Sequence, residues 1–152
     1  EENFFAVANG SLLHLEHVQD ETFASKMMGD GFAIEPSDNN ITAPLDAEVT
    51  MVAPTKHAIG LRTESGLEVL VHMGINTVEM NGEPFDVKVS VGDKVKHGDL
   101  LATMDIEAVK AAGKLATTMV IFMGLAENAE VKVDDEDIFD GIGGNYVGRV
   151  IF

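Results

Sequence analysis

In the stretch LEVLVHMGINTVEMNGEPF (residues 67–85) an apolar run carries an imidazole, His72, and then turns at once on Gly74. A period of two puts Glu68, Leu70, His72 and Gly74 on one face of a strand and Val69, Val71, Met73 and Ile75 on the other. The second face is core. His72 therefore reads as a half-covered, approachable rim residue beside a glycine that removes bulk. A second histidine, His57, lies fifteen residues earlier in PTKHAIGLRT, in phase with Ile59 and Leu61, and Thr55 shares its face with a free hydroxyl. A neutral imidazole is a competent nucleophile near pH 7, because its unperturbed pKa is about 6.5. A single strand histidine is more often a satisfied core or rim residue, and a pair gains meaning only where its strands are neighbours. His14 and His17 fall out of phase on one strand, which predicts opposite faces and a poor metal pair. His97 belongs to a turn, and all three read as structural.

The elements that must position these rings are short. Turn signals recur at Asn9-Gly10, Gly29-Asp30-Gly31, Asp38-Asn39-Asn40, Ser65-Gly66, Asn81-Gly82, Gly92-Asp93 and His97-Gly98. Between them lie segments rich in Val, Ile, Leu and Thr, alternating at Leu12–Val18, Val49–Val52, His57–Thr63 and Leu67–Met73. The pattern predicts an all-β fold, an antiparallel sandwich with short helical turns at Glu21–Met28 and Ile106–Lys114. VANGSLLHL (7–15), APLDAEVTMV (43–52) and VSVGDKVKHGDLL (89–101) form a faint repeat of turn-plus-strand pieces. The acidic DDEDIFDG (134–141) and glycine-rich GIGGNYVG (141–148) read as a solvated loop leading into a final strand, Tyr146–Phe152. No internal linker is visible, so residues 1–152 read as one domain. A start at Glu1 instead of Met is what is expected of a domain cut from a longer chain, and equally of a trimmed free protein.

Composition removes several function classes. The net charge is −16, with no basic cluster, and such a surface repels nucleic-acid backbones and anionic lipid. No cysteine is present, which excludes disulfides, thiolate metal sites and a cysteine nucleophile in this chain. The longest apolar stretch, Thr117–Ala126, is about half of what a membrane span needs.

The chain resembles the glucose-type enzyme IIA domains of the bacterial phosphoenolpyruvate:sugar phosphotransferase system. VLVHMGINTVEMNGEPF is similar to the signature around the family's phosphorylated histidine. TKHAIGLRTESGLEVLVHMGI reproduces the spacing of its two histidines, and DETFASKMMGDGFAIEP (20–36) looks like its other recurrent stretch. The resemblance implies a β-sandwich phosphoryl carrier. It would accept phosphate from the carrier protein HPr on a histidine and pass it to a cysteine of enzyme IIB, coupled indirectly to the membrane component IIC. Residue by residue, His72 matches the phosphoacceptor, His57 the second histidine, and Thr55 the hydroxyl that positions His57. Asp20, Phe23, Met27, Leu70, Gly74, Asn76 and Val78 fall on the implied docking face. The resemblance calls for no metal and no organic cofactor. It implies a cytoplasmic domain, either free or tethered through a fused transporter of the sucrose or β-glucoside type.

The chemistry suits these residue types. Attack of an imidazole on phosphorus gives a phosphoramidate, and phosphoryl transfer asks the protein mainly for positioning and charge stabilisation. Apolar Phe23, Met27, Leu70 and Val78 would exclude water from a labile P–N bond, and methionine suits a surface that accepts two partners in turn. Without the resemblance, the same Met and Phe set reads as ordinary core. Departures exist: Asn76 stands where the family usually has aspartate, Ala47 replaces a common turn glycine, and FDGIGGNYVGRVIF matches loosely. A regulatory docking protein using the same face is the alternative. A biotinyl or lipoyl carrier fails on spacing, because Ala108 stands where the modified lysine belongs and Lys110 comes two residues late. A zinc endopeptidase fails because Asn76 replaces the carboxylate ligand and no His-x-His exists.

Overall fold

Alternating Val, Ile and Leu positions build the fold seen in the computed structural model, which describes residues 1–134, 136, 138, 139 and 145–151. In chain order the elements are β1 (Glu2–Phe5), β2 (Gly10–His14), α1 (Glu21–Ala24), β3 (Asp30–Pro36), β4 (Asn40–Thr42), β5 (Ala47–Val52), β6 (Ala58–Arg62), β7 (Glu68–Ile75), β8 (Phe85–Val87), β9 (Lys94–Val95), β10 (Leu100–Met104), α2 (Ile106–Ala111), β11 (Leu115–Met123), β12 (Glu130–Val133), β13 (Ile138–Phe139) and β14 (Tyr146–Ile151). Among the described residues, an eight-stranded sheet runs β13-β2-β3-β11-β7-β6-β5-β9, and two three-stranded sheets run β1-β14-β12 and β4-β10-β8. Every pairing is antiparallel. The expected all-β architecture with short helical turns is what the chain adopts.

The period of two divides the large sheet into two apolar faces. Phe32, Ile34, Ile59, Leu61, Val69, Val71, Met73, Val120 and Phe122 point inward and pack with residues of both small sheets and α2, including Phe4, Leu101, Met104, Val109 and Val150. A second, smaller cluster covers the outer face: Leu15, Val18, Phe23, Ala33, Ala58, Leu70, Ile75, Met119 and Ile121. Strand β11 lies at the centre, between β3 and β7, and is apolar on both faces. That explains its unbroken hydrophobic run, since a strand covered on both sides has no solvent face to alternate with.

Several boundaries differ from expectation for local reasons. The strand predicted over Leu12–Val18 stops at His14 and gives way to a 3₁₀ turn, Leu15–His17. The helix predicted over Glu21–Met28 spans only Glu21–Ala24, because Lys26 adopts a positive φ of 64° that no right-handed helix contains. The second helix, capped at its start by the Asp105 carboxylate on Ala108 N–H, ends at Ala111 just ahead of left-handed Gly113. Phe152 and residues 135, 137 and 140–144 of the acidic and glycine-rich segments lie outside the described residues.

Candidate functional site

The two histidines meet because their strands are neighbours. In the β6–β7 ladder Ala58 pairs with His72, so the residue just ahead of β6 is delivered to the side of that imidazole. That residue is His57. Its carbonyl accepts the Met73 N–H at 2.7 Å, extending the pairing one step beyond the strand. The alternating pattern puts His57 on the face of Ile59 and Leu61, which the structure corrects. Lys56, at φ 61°, breaks the extended backbone, and the His57 ring lies against His72, on the face of Ala58, rather than in the inner core. The ring centroids lie 5.0 Å apart, with planes at 75°.

Each ring is held by a partner two residues away. Thr55 Oγ1 lies 2.6 Å from His57 Nδ1. His72 Nδ1 lies 2.9 Å from the Gly74 carbonyl oxygen, which can only accept, so Nδ1 carries the proton. In the neutral ring this leaves the lone pair on Nε2. His72 is kept neutral: burial chiefly, and then the neighbouring His57, push its pKa down to about 4, against weaker upward pulls from the Gly74 bond and Asp20. Burial also lowers the pKa of His57.

Gly74 is where regular strand geometry gives way. It adopts φ +83°, and a Cβ there would run into the Thr77 methyl and come within 3.0 Å of the Leu115 carbonyl oxygen. It also faces an irregularity in β11, where pairing jumps from Leu115↔Ile75 to Thr118↔Met73. The alternation is reset there. Ile75, expected on the inner face, packs instead in the outer cluster on the His72 side.

The remaining predicted residues surround this centre to different degrees. The Asp20 side chain caps α1 by accepting the Thr22 N–H, and α1 places Phe23 over His72 with ring centroids 4.9 Å apart. Leu70 is buried in the same cluster. Asn76 is exposed in a left-handed conformation (φ 62°), which asparagine tolerates, and opens the 3₁₀ turn Thr77–Met80 that carries exposed Val78. Met27 is 79% exposed and lies outside the outer cluster. Sequence reasoning missed Met119, which pairs with His72 across β11 and is fully buried, and Thr77, whose hydroxyl donates to the Met73 carbonyl. The double-sided run of β11 was the available signal for the first. Nothing short of the turn geometry pointed to the second.

The other histidines sit apart from this pair. His14 and His17 do not face opposite ways: the 3₁₀ turn brings their rings nearly parallel at 6.1 Å, and both contact the segment around Glu136. His17 Nδ1 lies 2.8 Å from the Glu136 carboxylate, which raises its pKa. His97 stacks on Phe5 at 4.0 Å. Among the described residues, no group of three or more His, Asp or Glu side chains is arranged to hold a metal ion. A cleft of about 420 Å³ lined by residues such as Glu48, Arg62, Lys94 and Lys96 contains neither His57 nor His72. The histidine pair thus lies on the outer, apolar side of the large sheet, beside Phe23 and Leu70.

The fold and this paired-histidine face define an antiparallel β protein with a surface-mounted imidazole centre, and comparison with known proteins places it further. Residues 2–128 match the family model described as phosphoenolpyruvate-dependent sugar phosphotransferase system, EIIA 1. The chain belongs to that family. It is 52% identical over 121 residues to the glucose-specific EIICBA component of Streptococcus pneumoniae, covering 80% of this chain and 17% of that protein. It is 46% identical over 129 residues to the glucose-specific EIIA component of Halalkalibacterium halodurans, covering 85% and 75%. With the glucosamine-specific EIICBA component of Bacillus subtilis it shares 44% identity over 127 residues, 84% of this chain and 20% of that one. The solved structure of glucose permease IIA from Mycoplasma capricolum superimposes with a TM-score of 0.86 at 32% identity, covering 96% and 93%. The chain therefore corresponds to a small part of the fused relatives and to most of the separate one. No helix among the described residues is long and apolar enough to cross a membrane.

Proposed function

We propose that residues 1–152 act as one IIA-type phosphocarrier domain, working in the cytoplasm either free or joined to a membrane component. His72 is the phosphoacceptor. Its Nε2 attacks phosphorus on phosphorylated HPr, the P–N bond forming as the bond to the donor breaks. The group then leaves for a cysteine of enzyme IIB, which restores the neutral ring. The observation that carries this reading is the 2.9 Å contact from His72 Nδ1 to the Gly74 carbonyl, which leaves Nε2 as the nucleophile of an imidazole kept neutral by burial.

His57 is the stabilising partner. With the Thr55 hydroxyl donating to its Nδ1, the ring retains an Nε2–H that can donate to phosphoryl oxygens beside His72. Phe23 and Leu70 pack around the centre, while Asp20, Met27, Asn76 and Val78 line the docking face. HPr and enzyme IIB would cover this face in turn, excluding water from the P–N bond.

The test is intact-mass analysis after incubation with phosphoenolpyruvate, enzyme I and HPr. Wild type is expected to gain one acid-labile phosphate, and His72→Gln none. His57→Gln is expected to keep the phosphate while passing it to enzyme IIB more slowly. No phosphate on wild type overturns the relay and leaves regulatory docking on the same face as the reading to pursue.

A further inference from the structure

We infer that Thr77 is a positioning residue for His72: its buried side chain fixes the Gly74 peptide that holds the imidazole in the Nδ1–H form. The inference rests on the relay reading for its catalytic consequence, though not for its geometry.

Gly74 lies just past the last β6–β7 ladder pair, Ala58↔His72, and opposite the irregularity in β11. Its orientation is therefore not set by a regular ladder on either side. Two contacts set it instead. The Thr77 hydroxyl donates to the Met73 carbonyl, which belongs to the peptide leading into Gly74. The Thr77 methyl occupies the position where a side chain on Gly74 would project. Thr77 is fully buried, so both contacts are made away from solvent. The Met73 N–H is meanwhile fixed on the His57 carbonyl at 2.7 Å. Both polar groups of Met73 are thus engaged, one by the His57 backbone and one by Thr77. The next carbonyl along the chain, that of Gly74, is aimed at His72 Nδ1. Without the hydroxyl, the Met73–Gly74 peptide would be free to rotate and the Gly74 carbonyl to leave the ring. A neutral imidazole lacking that acceptor populates both tautomers, and the one protonated on Nε2 has no lone pair at the reacting atom.

Two substitutions separate the hydroxyl from the methyl. Thr77→Val keeps the shape and removes the donor, whereas Thr77→Ser keeps the donor and removes the methyl. The readouts are the His72 tautomer, from ¹⁵N chemical shifts of the imidazole, and the rate of phosphate acceptance from HPr. Wild type should show Nδ1–H alone. Thr77→Val should show mixed tautomers and accept phosphate about tenfold more slowly, whereas Thr77→Ser should retain the tautomer and stay within about twofold of wild type. A folded Thr77→Val protein with the Nδ1–H tautomer and the wild-type rate overturns the inference. Should that variant fail to fold, Thr77→Ala, which removes the hydroxyl without setting a methyl against the Met73 carbonyl, is read by the same two outcomes. The tautomer needs no phosphoryl donor. A tautomer shift in Thr77→Val alongside no phosphate on wild type would overturn the relay while upholding the positioning of the ring.

Discussion

His57 and His72 meet with ring centroids 5.0 Å apart and planes at 75°, and each presents Nδ1 to a group two residues away in its own segment. For His57 that group is Thr55, two residues earlier; for His72 it is the Gly74 carbonyl, two residues later. Both rings are therefore oriented by local chain geometry, while the β6–β7 ladder sets only their separation. Orientation can thus be perturbed by single substitutions that leave the separation intact.

The low pKa of His72 makes phosphate acceptance insensitive to mild acid. With burial holding the value at about 4, the ring stays neutral through pH 5–8, and acceptance should be flat there instead of halving near pH 6.5. Stability obeys the same shift. The folded state resists a proton that the unfolded chain binds near pH 6.5, so this contribution is intact above pH 6.5 and is lost as pH falls towards 4. The total is up to about 3 kcal/mol. Denaturant titrations of wild type and His72→Gln across that window should diverge in slope, and parallel curves would refute the assignment.

Gly74→Ala should disable the centre through the backbone. An L-residue at φ +83° carries a penalty of about 1–2 kcal/mol, and the clash with the Thr77 methyl adds to it. We expect destabilisation of about 2–4 kcal/mol by denaturant unfolding, together with a tautomer shift at His72. A variant as stable as wild type would mean that this turn relaxes easily.

Phe23→Ala tests the cover. Phe23 is nearly buried and packs on the imidazole, so its removal should cost about 3 kcal/mol. Because burial is the leading cause of the depressed His72 pKa, uncovering the ring should move that value back towards 6.5. An NMR titration of the His72 ring protons reads this directly, and an unmoved midpoint would contradict the stated cause.

Thr55→Val should spare acceptance and slow delivery. Removing one neutral hydrogen bond forfeits about 0.5–1.5 kcal/mol of orientation at His57, equivalent to a fall of about two- to twelvefold in transfer to enzyme IIB. Single-turnover transfer from the phosphorylated domain measures it. An equal loss in acceptance from HPr would place His57 in the first step as well.

Glu136→Gln should return His17 towards its ordinary titration range, since the Glu136 carboxylate is the leading cause of its raised pKa. The His72 titration should not move, because the His17–Glu136 contact is separate from the histidine pair. Coupled movement of the two would show that the outer face transmits changes along the sheet.

Alternation made most of the fold legible, and its failures fall at identifiable residues. Strand β7 reads correctly from Val69 to Met73 and fails at Ile75, because the positive φ of Gly74 flips the chain beyond it. A period of two puts His57 on the inner face with Ile59 and Leu61, but β6 begins only at Ala58, and His57, next to left-handed Lys56, lies outside the strand. The same period separates His14 from His17, and a 3₁₀ turn reunites them. Spacing and flanking motifs singled out His57 and His72 from the five histidines. Their adjacency was not legible, since it depends on the β6–β7 register, and neither was Thr77, whose importance arises only once the turn after Gly74 is formed. Left-handed residues outside glycine leave little trace in composition, which is why Lys26 and Lys56 escape a reading by pattern alone.

The outer cluster beneath the histidines is a thin apolar layer on a sheet whose other side is already filled by the main core. The imidazole mounted on that layer is flanked by His57 and covered by Phe23. On the proposed relay, a partner completes that enclosure, so the circuit for phosphoryl groups closes only when two protein surfaces meet.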